Sequence, residues 1–492
     1  MIFLHSQLNP QELDIFLVKT RDSSPLEDIN ANPFFHLVKP TTENLKKYQF
    51  RYAKSKLLLL LDLIMLLPRI IFKIVFSLLL SFYSLRESRA YHSQKLGQCK
   101  YLYLSHYTYG QNPSKNDIFF GKNIDSRDCF TFFLNHTRVS ASKILDSYYK
   151  EGKTKVAVNT KSIAPFALIQ LHVHQIRVSL WLLIASIKNR NLGIDEKRIL
   201  IRASVFQHDR STIANFVLQM RLKEMMLKLN PEYIVLTLEG HAHEALLMKL
   251  TSRFFKQTKI IGYQHAPVVP GQVNLFRIAS ILRAEDFFLT SGEITQALAL
   301  SHEFRCKIEK LGSLKGRPYE YQNKDTSLTQ VLVAPEGTRE SLIQFVNLIN
   351  YLVPFLPGVS FTIRLHPALG DIGTKIVRSK LVRRQKVAVS SGPLAADLKK
   401  AHLVIFRSSS LGIEGLSFGA IPIHFNQEST DSLNPLVTSG TETLEFNTAC
   451  EILEYLQSFD PKLTQNEEFQ KSCYEIFNKY FSTLQKVNHL VG

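Results

Sequence analysis

"AHLVIFRSSSLGIEGLSFGAIPIHF", residues 401 to 425, is the stretch from which the fold can be read. Leu403 to Phe406 is an apolar run long enough for a strand and too short for a helix. It stops at Arg407 and three serines, crosses a short glycine-bearing segment, and enters a second apolar run, "AIPIHFN". Strand, polar end, short helix and strand make a crossover unit. Apolar strands of this kind belong to a parallel sheet covered by helices on both faces. About forty residues upstream, "VSFTIRLHP" reads as another strand, ending at His366-Pro367.

The same pattern extends in both directions. "QVLVAPEG" (330–337) is a strand and turn ending at Glu336-Gly337, and a helix follows to about Val353. "KVAVSSG" is a further strand. Upstream, "KYLYLSHYT" (100–108) and "CFTFFLNHT" (129–137) read as strands, with helices around 140–149 and 165–188. "YIVLTLEGHAHEALLMKLTSRFF" (233–255) is strand, sharp polar end and amphipathic helix, "KIIGYQHAPVVPG" is strand and proline-bearing loop, and "DFFLTSGEITQALAL" repeats the unit. Apolar periodicity stops near "LGSLKGRPYEYQNKDTS" (311–327), which reads as a linker. The expected fold class is α/β. Two Rossmann-like, doubly wound domains face a cleft, over 99–312 and 329–460, joined by a linker at 313–328 and closed by a C-terminal helix at 461–492.

Residues 1–98 are different. "KLLLLLDLIMLLPRIIFKIVFSLLLSFYSL" (56–85) is long enough to cross a bilayer, yet it contains Asp62, Arg69 and Lys73. At 100° per residue these fall with Ser77 and Ser81 on one stripe. A central charge costs roughly 2.5–3.5 kcal/mol on insertion scales and a good apolar residue returns about 0.3–0.6. Three charges cancel most of the gain. The expectation is a helix over about 51–85 lying in the membrane interface. A true span and a helix buried by its own protein are the alternatives. The start, "MIFLHSQLNPQELD", does not read as a signal peptide.

The chain has 492 residues, enough for two or three domains, with 45% hydrophobic and 21% charged residues, which is globular rather than disordered composition. A formal net charge of +18 points to an anionic partner. The charge is spread without a long basic tract, which argues against nucleic acid. Five cysteines, odd in number and widely spaced without CxxC, argue against a disulfide framework or a zinc site and fit a reducing compartment.

Ligands of parallel α/β sheets meet the C-terminal strand ends. Those ends carry Ser105-His106, Glu239-Gly240, His265, Glu336-Gly337, His366-Pro367 and Ser408-Ser409-Ser410. Three serines before a helix exceed what an N-cap needs and suit a phosphate at the helix N-terminus. Glu414, one turn into that helix, is suited to ribose hydroxyls. His366 is suited to donate a hydrogen bond or a proton to a phosphate; Arg364 is a weaker candidate. Glu239 and His265 are rival bases for an acceptor hydroxyl, with Glu244 in support. No DxD pair is present to hold a divalent metal against a nucleotide sugar.

These residues carry a resemblance. "LHP" with "SSS" resembles the His-Pro and Ser-Ser elements of bacterial sialyltransferases and Kdo transferases. "SSLGIEGLSFGAIPI" resembles the donor-site pattern of GT-B glycosyltransferases, and "LEGHAHE" with "GYQHAP" resembles an acceptor-side region of surface carbohydrate biosynthesis proteins. It covers roughly residues 99 to 430. It implies a metal-independent, cofactor-free glycosyltransferase of bacterial surface polysaccharide biosynthesis, such as capsule or lipopolysaccharide, at the cytoplasmic face of the inner membrane. A nucleotide-linked, CMP-type sugar would be the donor, and a lipid-linked or surface glycan the acceptor. Glu239 would match the acidic residue of an acidic-acidic-Gly motif, although Leu238 precedes it here. His366, Ser408, Ser409 and Ser410 would match CMP-binding elements. Similar pairs occur in CDP-polyol phosphotransferases, the alternative enzyme class. A non-catalytic, membrane-bound assembly factor with the same fold is the alternative outside enzymes. If the donor is held without a metal, turnover survives EDTA. Loss of turnover on chelation, restored by magnesium or manganese, contradicts that reading.

Overall fold

The structure is a computed structural model that describes residues 10–36, 56–84, 98–108, 117–125, 128–137, 139–153, 155–159, 165–382, 387–427 and 433–491. Two parallel sheets organise it. The first joins β1 (Tyr101–Tyr107), β2 (Cys129–Asn135), β3 (Val156–Val158), β4 (Tyr233–Thr237), β5 (Lys259–Gln264), β6 (Phe287–Thr290) and β7 (Lys307–Lys310) in the order β3-β2-β1-β4-β5-β6-β7. In the second, β8 (Thr329–Ala334), β9 (Val359–Ile363), β10 (Val387–Val389), β11 (Leu403–Phe406), β12 (Ile421–Phe425) and β13 (Leu444–Phe446) run β10-β9-β8-β11-β12-β13. Every pairing is parallel. Both domains are therefore doubly wound and Rossmann-like, the GT-B-like architecture expected from the sequence.

Strand alternation explains why each sheet is buried on both faces. Leu102, Leu104, Ile234 and Leu236 enter one core, and Tyr101, Tyr103, Tyr233 and Val235 enter the opposite one. In the second sheet Val331, Val333, Leu403 and Ile405 face one way, Leu332 and Val404 the other. β4 and β11 are buried along their whole lengths, as near-continuous apolar strands must be. The edge strands β3, β7, β10 and β13 are three or four residues long and partly exposed, and β7 ("KIEK") and β13 ("LEF") carry no apolar run to betray them.

Each sheet reverses its winding once. In the first the reversal lies between β1 and β4, in the second between β8 and β11. There the crossovers depart to opposite faces and leave a crevice beyond the strand ends. The two C-terminal edges approach each other. The Thr438 hydroxyl, in the loop after β12, donates to the carbonyl of Val268, in the loop after β5, at 2.9 Å.

The segment at 313–328 lacks helix and strand apart from a bridge between Ser313 and Thr483. It is nonetheless pinned. Gln322 and Gln470 exchange backbone and side-chain hydrogen bonds, and buried Lys324 donates to the carbonyls of Ala401 and Gly419. Helix Glu467–Tyr480 packs on helix Leu411–Leu416 of the second domain and on helix Glu293–Leu300 of the first, tying the two together.

The N-terminal residues do not stand apart. Leu13, Leu17, Phe34 and Phe35 share a core with Val178, Leu182, Ile199 and Leu200, which belong to helices Pro165–Lys188 and Ile194–Phe206. The apolar stretch departs from the single helix expected. It forms Lys56–Ile64 and Leu66–Ser84, broken at Met65. Residues 51–55 and Leu85 of the expected helix lie outside the described residues.

Burial pushes the Lys324 amine down to about 7. Between there and the ordinary lysine value near 10.5 the unfolded chain binds more protons, so this residue makes stability rise with pH. Lys324→Met removes that slope and leaves two buried carbonyls unpaired, at about 1–3 kcal/mol each. Chemical denaturation at pH 7 and pH 9.5 measures both effects. A variant as stable as wild type, with the same pH slope, contradicts the assignment.

Candidate functional site

The first crevice holds a cluster of histidines around one carboxylate. β1 alternates, so Ser105 turns inward and donates to Asp117 at 2.6 Å, while His106 is left for the crevice. His106 Nε2 is hydrogen bonded to Thr237 Oγ1 at 2.8 Å, and its Nδ1 to His136 Nε2 at 2.7 Å. One carboxylate oxygen of Glu239 lies 3.0 Å from His265 Nε2, the other 3.0 Å from His241 Nε2. The rings of His241 and His243 stack at 5.5 Å, and His243 lies 6.3 Å from His106.

A tight turn aims Glu239. Gly240 has φ +93°, and a Cβ there would stand 2.4 Å from the Asn274 amide nitrogen. That amide donates to the carbonyls of Glu239 and Gly240, both at 3.1 Å. Glu244 is not part of the chemistry face. Buried, it accepts the backbone N–H groups of Glu239, Gly240 and His241 and so caps helix Ala242–Phe254.

The charges divide unequally. Burial works against the Glu239 carboxylate, but hydrogen bonds from His241 and His265 hold its pKa well below the usual carboxylate range. His241 is opposed by burial and lifted by Glu239 and Glu244 to about 9. Burial, then His136, pushes His106 down to about 3. Burial, then His241, keeps His243 well below its ordinary value. At neutral pH the cluster is an ionised Glu239 with a charged His241, beside neutral His106 and His243. Glu239 and His265, expected as rivals, form one unit. Both carboxylate oxygens of Glu239 are engaged by imidazoles.

The second crevice is built of hydroxyls and backbone. Ser408 donates to Glu336 at 2.5 Å, linking the ends of β11 and β8. Ser410 donates to Glu414 at 2.8 Å, and Lys315 Nζ reaches both, 2.6 Å from Ser410 Oγ and 2.8 Å from Glu414. Ser409 Oγ accepts the Leu411 N–H at 3.2 Å, which leaves its proton to donate. His366 Nδ1 accepts the Ala368 N–H at 3.2 Å, so the neutral ring carries its proton on Nε2. Burial lowers the pKa of His366, with Glu336 opposing. Gly337 admits this ring, since a Cβ there would sit 2.8 Å from His366 Nδ1. The buried Nε of Arg407 has no hydrogen-bond partner among the described residues.

Two expectations change. Helix Leu411–Leu416 is six residues long and Ser410 makes no side-chain cap bond, so the helix N-terminus expected to favour a phosphate has little more than one turn behind it. Arg364 is tied to Asp397 at 2.6 Å and to Ser390, away from the serines. Lys315, His136, His241 and His243 were not singled out in the sequence. The "GHAH" after β4 was a usable signal for two of them, whereas Lys315 lay in a stretch with no periodicity. Among the described residues no cluster of three or more His, Cys, Asp and Glu has a metal-holding arrangement.

No family model and no curated protein matches the chain. Among solved structures, the UDP-GlcNAc 2-epimerase from Neisseria meningitidis bound to UDP-GlcNAc aligns at a TM-score of 0.43, with 11% identity over 77% of this chain and 95% of that one. The kitacinnamycin glycotransferase aligns at 0.44, with 10% identity over 78% and 95%. The Anabaena protein HepE with UDP-glucose aligns at 0.43, with 10% identity over 77% and 95%. The fold assignment rests on strand order and register, not on these alignments.

The stability contributed by the Glu239–His241 pair is complete below the ordinary histidine value of 6.5 and is lost as pH rises through about 9. On the acid side it is lost as pH falls through the depressed pKa of Glu239. Glu239→Gln lowers the His241 pKa, measured by NMR titration, to its ordinary range or below. An unchanged value contradicts the pairing.

Proposed function

We propose that the protein is a glycosyltransferase that takes a sugar from a nucleotide-activated, CMP-type donor held at the β8/β11 crevice. It passes the sugar to a hydroxyl held at the β1/β4 crevice. The acceptor on this reading is a lipid-linked or surface glycan of the cell envelope. One observation carries the proposal. The two reversal points hold complementary chemistry, hydroxyls with Lys315 and His366 at one and an acid-base cluster at the other.

A nucleotide sugar needs donors for its phosphate and acceptors for its ribose and base. His366 Nε2–H, the Ser409 hydroxyl and Lys315 serve the phosphate. The Glu336 and Glu414 carboxylates suit hydroxyl or amino donors. As the glycosidic bond to the phosphate breaks, negative charge grows on the leaving oxygen, and those same donors stabilise it. On the acceptor side, the attacking hydroxyl must lose a proton as its oxygen bonds the anomeric carbon. The imidazole of His265, whose Nε2 is held by Glu239, takes it on Nδ1, a buried nitrogen with no hydrogen-bond partner among the described residues. The charged His241 holds an anionic part of the acceptor.

The test separates the halves. His366→Ala and Ser409→Ala weaken nucleotide binding by about tenfold to a hundredfold, as loss of hydrogen bonds to a charged group does. His265→Ala leaves nucleotide affinity unchanged and lowers turnover by about a hundredfold or more. Calorimetry with CMP and turnover with CMP-linked donors read the two effects. If His366→Ala and Ser409→Ala bind CMP, CDP and UDP as tightly as wild type, the donor assignment fails. Transfer of a polyol phosphate from a CDP-linked donor would identify the alternative enzyme class instead.

A further inference from the structure

The two helices of residues 56–84 are packed inside out. Asp62 is buried and lies 2.6 Å from Arg202 and 3.0 Å from Arg198, both on helix Ile194–Phe206. Lys73 turns the same way, 3.0 Å from Asp209 and 4.5 Å above the Phe206 ring. The charged stripe therefore faces protein, and the apolar residues face out. Leu67 is 65% exposed and Phe72 68%, with Leu60, Ile64, Ile71 and Val75 similarly open. An ordinary surface helix does the reverse.

Helix Pro165–Lys188 is apolar on both sides, with Leu168, Leu171, Val178 and Leu182 buried against the protein. Its inner side holds buried Gln175 and Ser179, hydrogen bonded to the carbonyls of Gln207 and Ser204. Its outer side exposes Ile169, Val173, Ile176, Leu180, Ile184 and Ile187, spaced by three or four residues along one stripe. The two exposed apolar surfaces adjoin, because Leu183 packs into the small core of Leu66 and Ile70. Leu180, Ile184 and Ile187 lie beside that seam.

We propose that helices Leu66–Ser84 and Pro165–Lys188 form one membrane face that rests in a single leaflet with anionic headgroups. Their sequences carry one acid between them and Lys56–Ile64, Asp62, and it is buried. Arg177, Lys188 and Arg190 are exposed at or beside the apolar stripe, on a chain of net charge +18. A basic rim around an apolar face complements anionic lipid. A second copy would oppose basic to basic. A span is disfavoured, because the inward polar groups of both helices are already bonded to the first domain. The assignment also suits a lipid-linked acceptor. Residues 27–31 pack on both helix Pro165–Lys188 and helix Ala242–Phe254, which begins at the histidine cluster.

The test uses the full chain and vesicles of phosphatidylcholine with or without phosphatidylglycerol, and it needs no catalytic activity. Wild type floats with the anionic vesicles. The exposed substitutions Leu180→Ser, Ile184→Ser and Ile187→Ser, combined, lower the bound fraction by about tenfold or more. Leu227→Ser, equally exposed on helix Arg210–Leu229, leaves it unchanged. Three outcomes overturn the proposal. The triple variant floats like wild type, so that residues 56–84 act alone. Wild type ignores anionic vesicles. Or wild type stays in solution and self-associates through this face by light scattering. A protein that floats yet transfers no sugar fails the proposed function while keeping this inference.

Discussion

Parallel pairing is the constraint on which the rest depends. A parallel strand cannot be joined to its neighbour by a tight turn, so every connection crosses over, and each sheet must be covered on both faces. With helices on two faces, the winding reverses once per sheet, between β1 and β4 and between β8 and β11. Polar side chains are affordable there because no crossover covers the strand ends. His106, Thr237 and Glu239 occupy one such position, and Glu336 and Ser408 the other. Neither group was brought near by sequence proximity: Ser408 and Glu336 are 72 residues apart, His106 and Thr237 131.

Much of this was legible in the chain. Apolar runs such as "YIVLT" and "LVIF" are fully buried strands, and the polar residues that end them fall at the crevices. What the sequence did not reveal is pairing. Glu239 and His265 read as competitors because nothing in one dimension says that β4 and β5 are adjacent; the register makes them partners. Lys315 reads as linker because its role comes from the 2.6 Å reach to Ser410, across 95 residues. The short edge strands β7 and β13 hold charged residues within three or four positions and so show no apolar run, whereas the edge strand β10, "VAV", was legible.

The stretch at 56–85 teaches a different lesson. Its charged stripe was visible, and on its own such a stripe points toward water. The structure turns it toward Arg198, Arg202 and Asp209, charges that belong to a helical pair more than a hundred residues away. Helix periodicity gives the stripe but not the side from which it is met. On Pro165–Lys188 an inward glutamine and serine sit beside buried Val178 and Leu182, satisfied by carbonyls at the end of helix Ile194–Phe206.

The central claim is that a nucleotide occupies the β8/β11 crevice while the histidine cluster serves a different molecule. Hydrogen–deuterium exchange with saturating CMP, and separately UDP, tests it most directly. The account predicts slowed exchange at 335–338, 366–369 and 407–414, with residues 105–108 and 239–243 unchanged. Protection confined to the first domain, or none with either nucleotide, would contradict it.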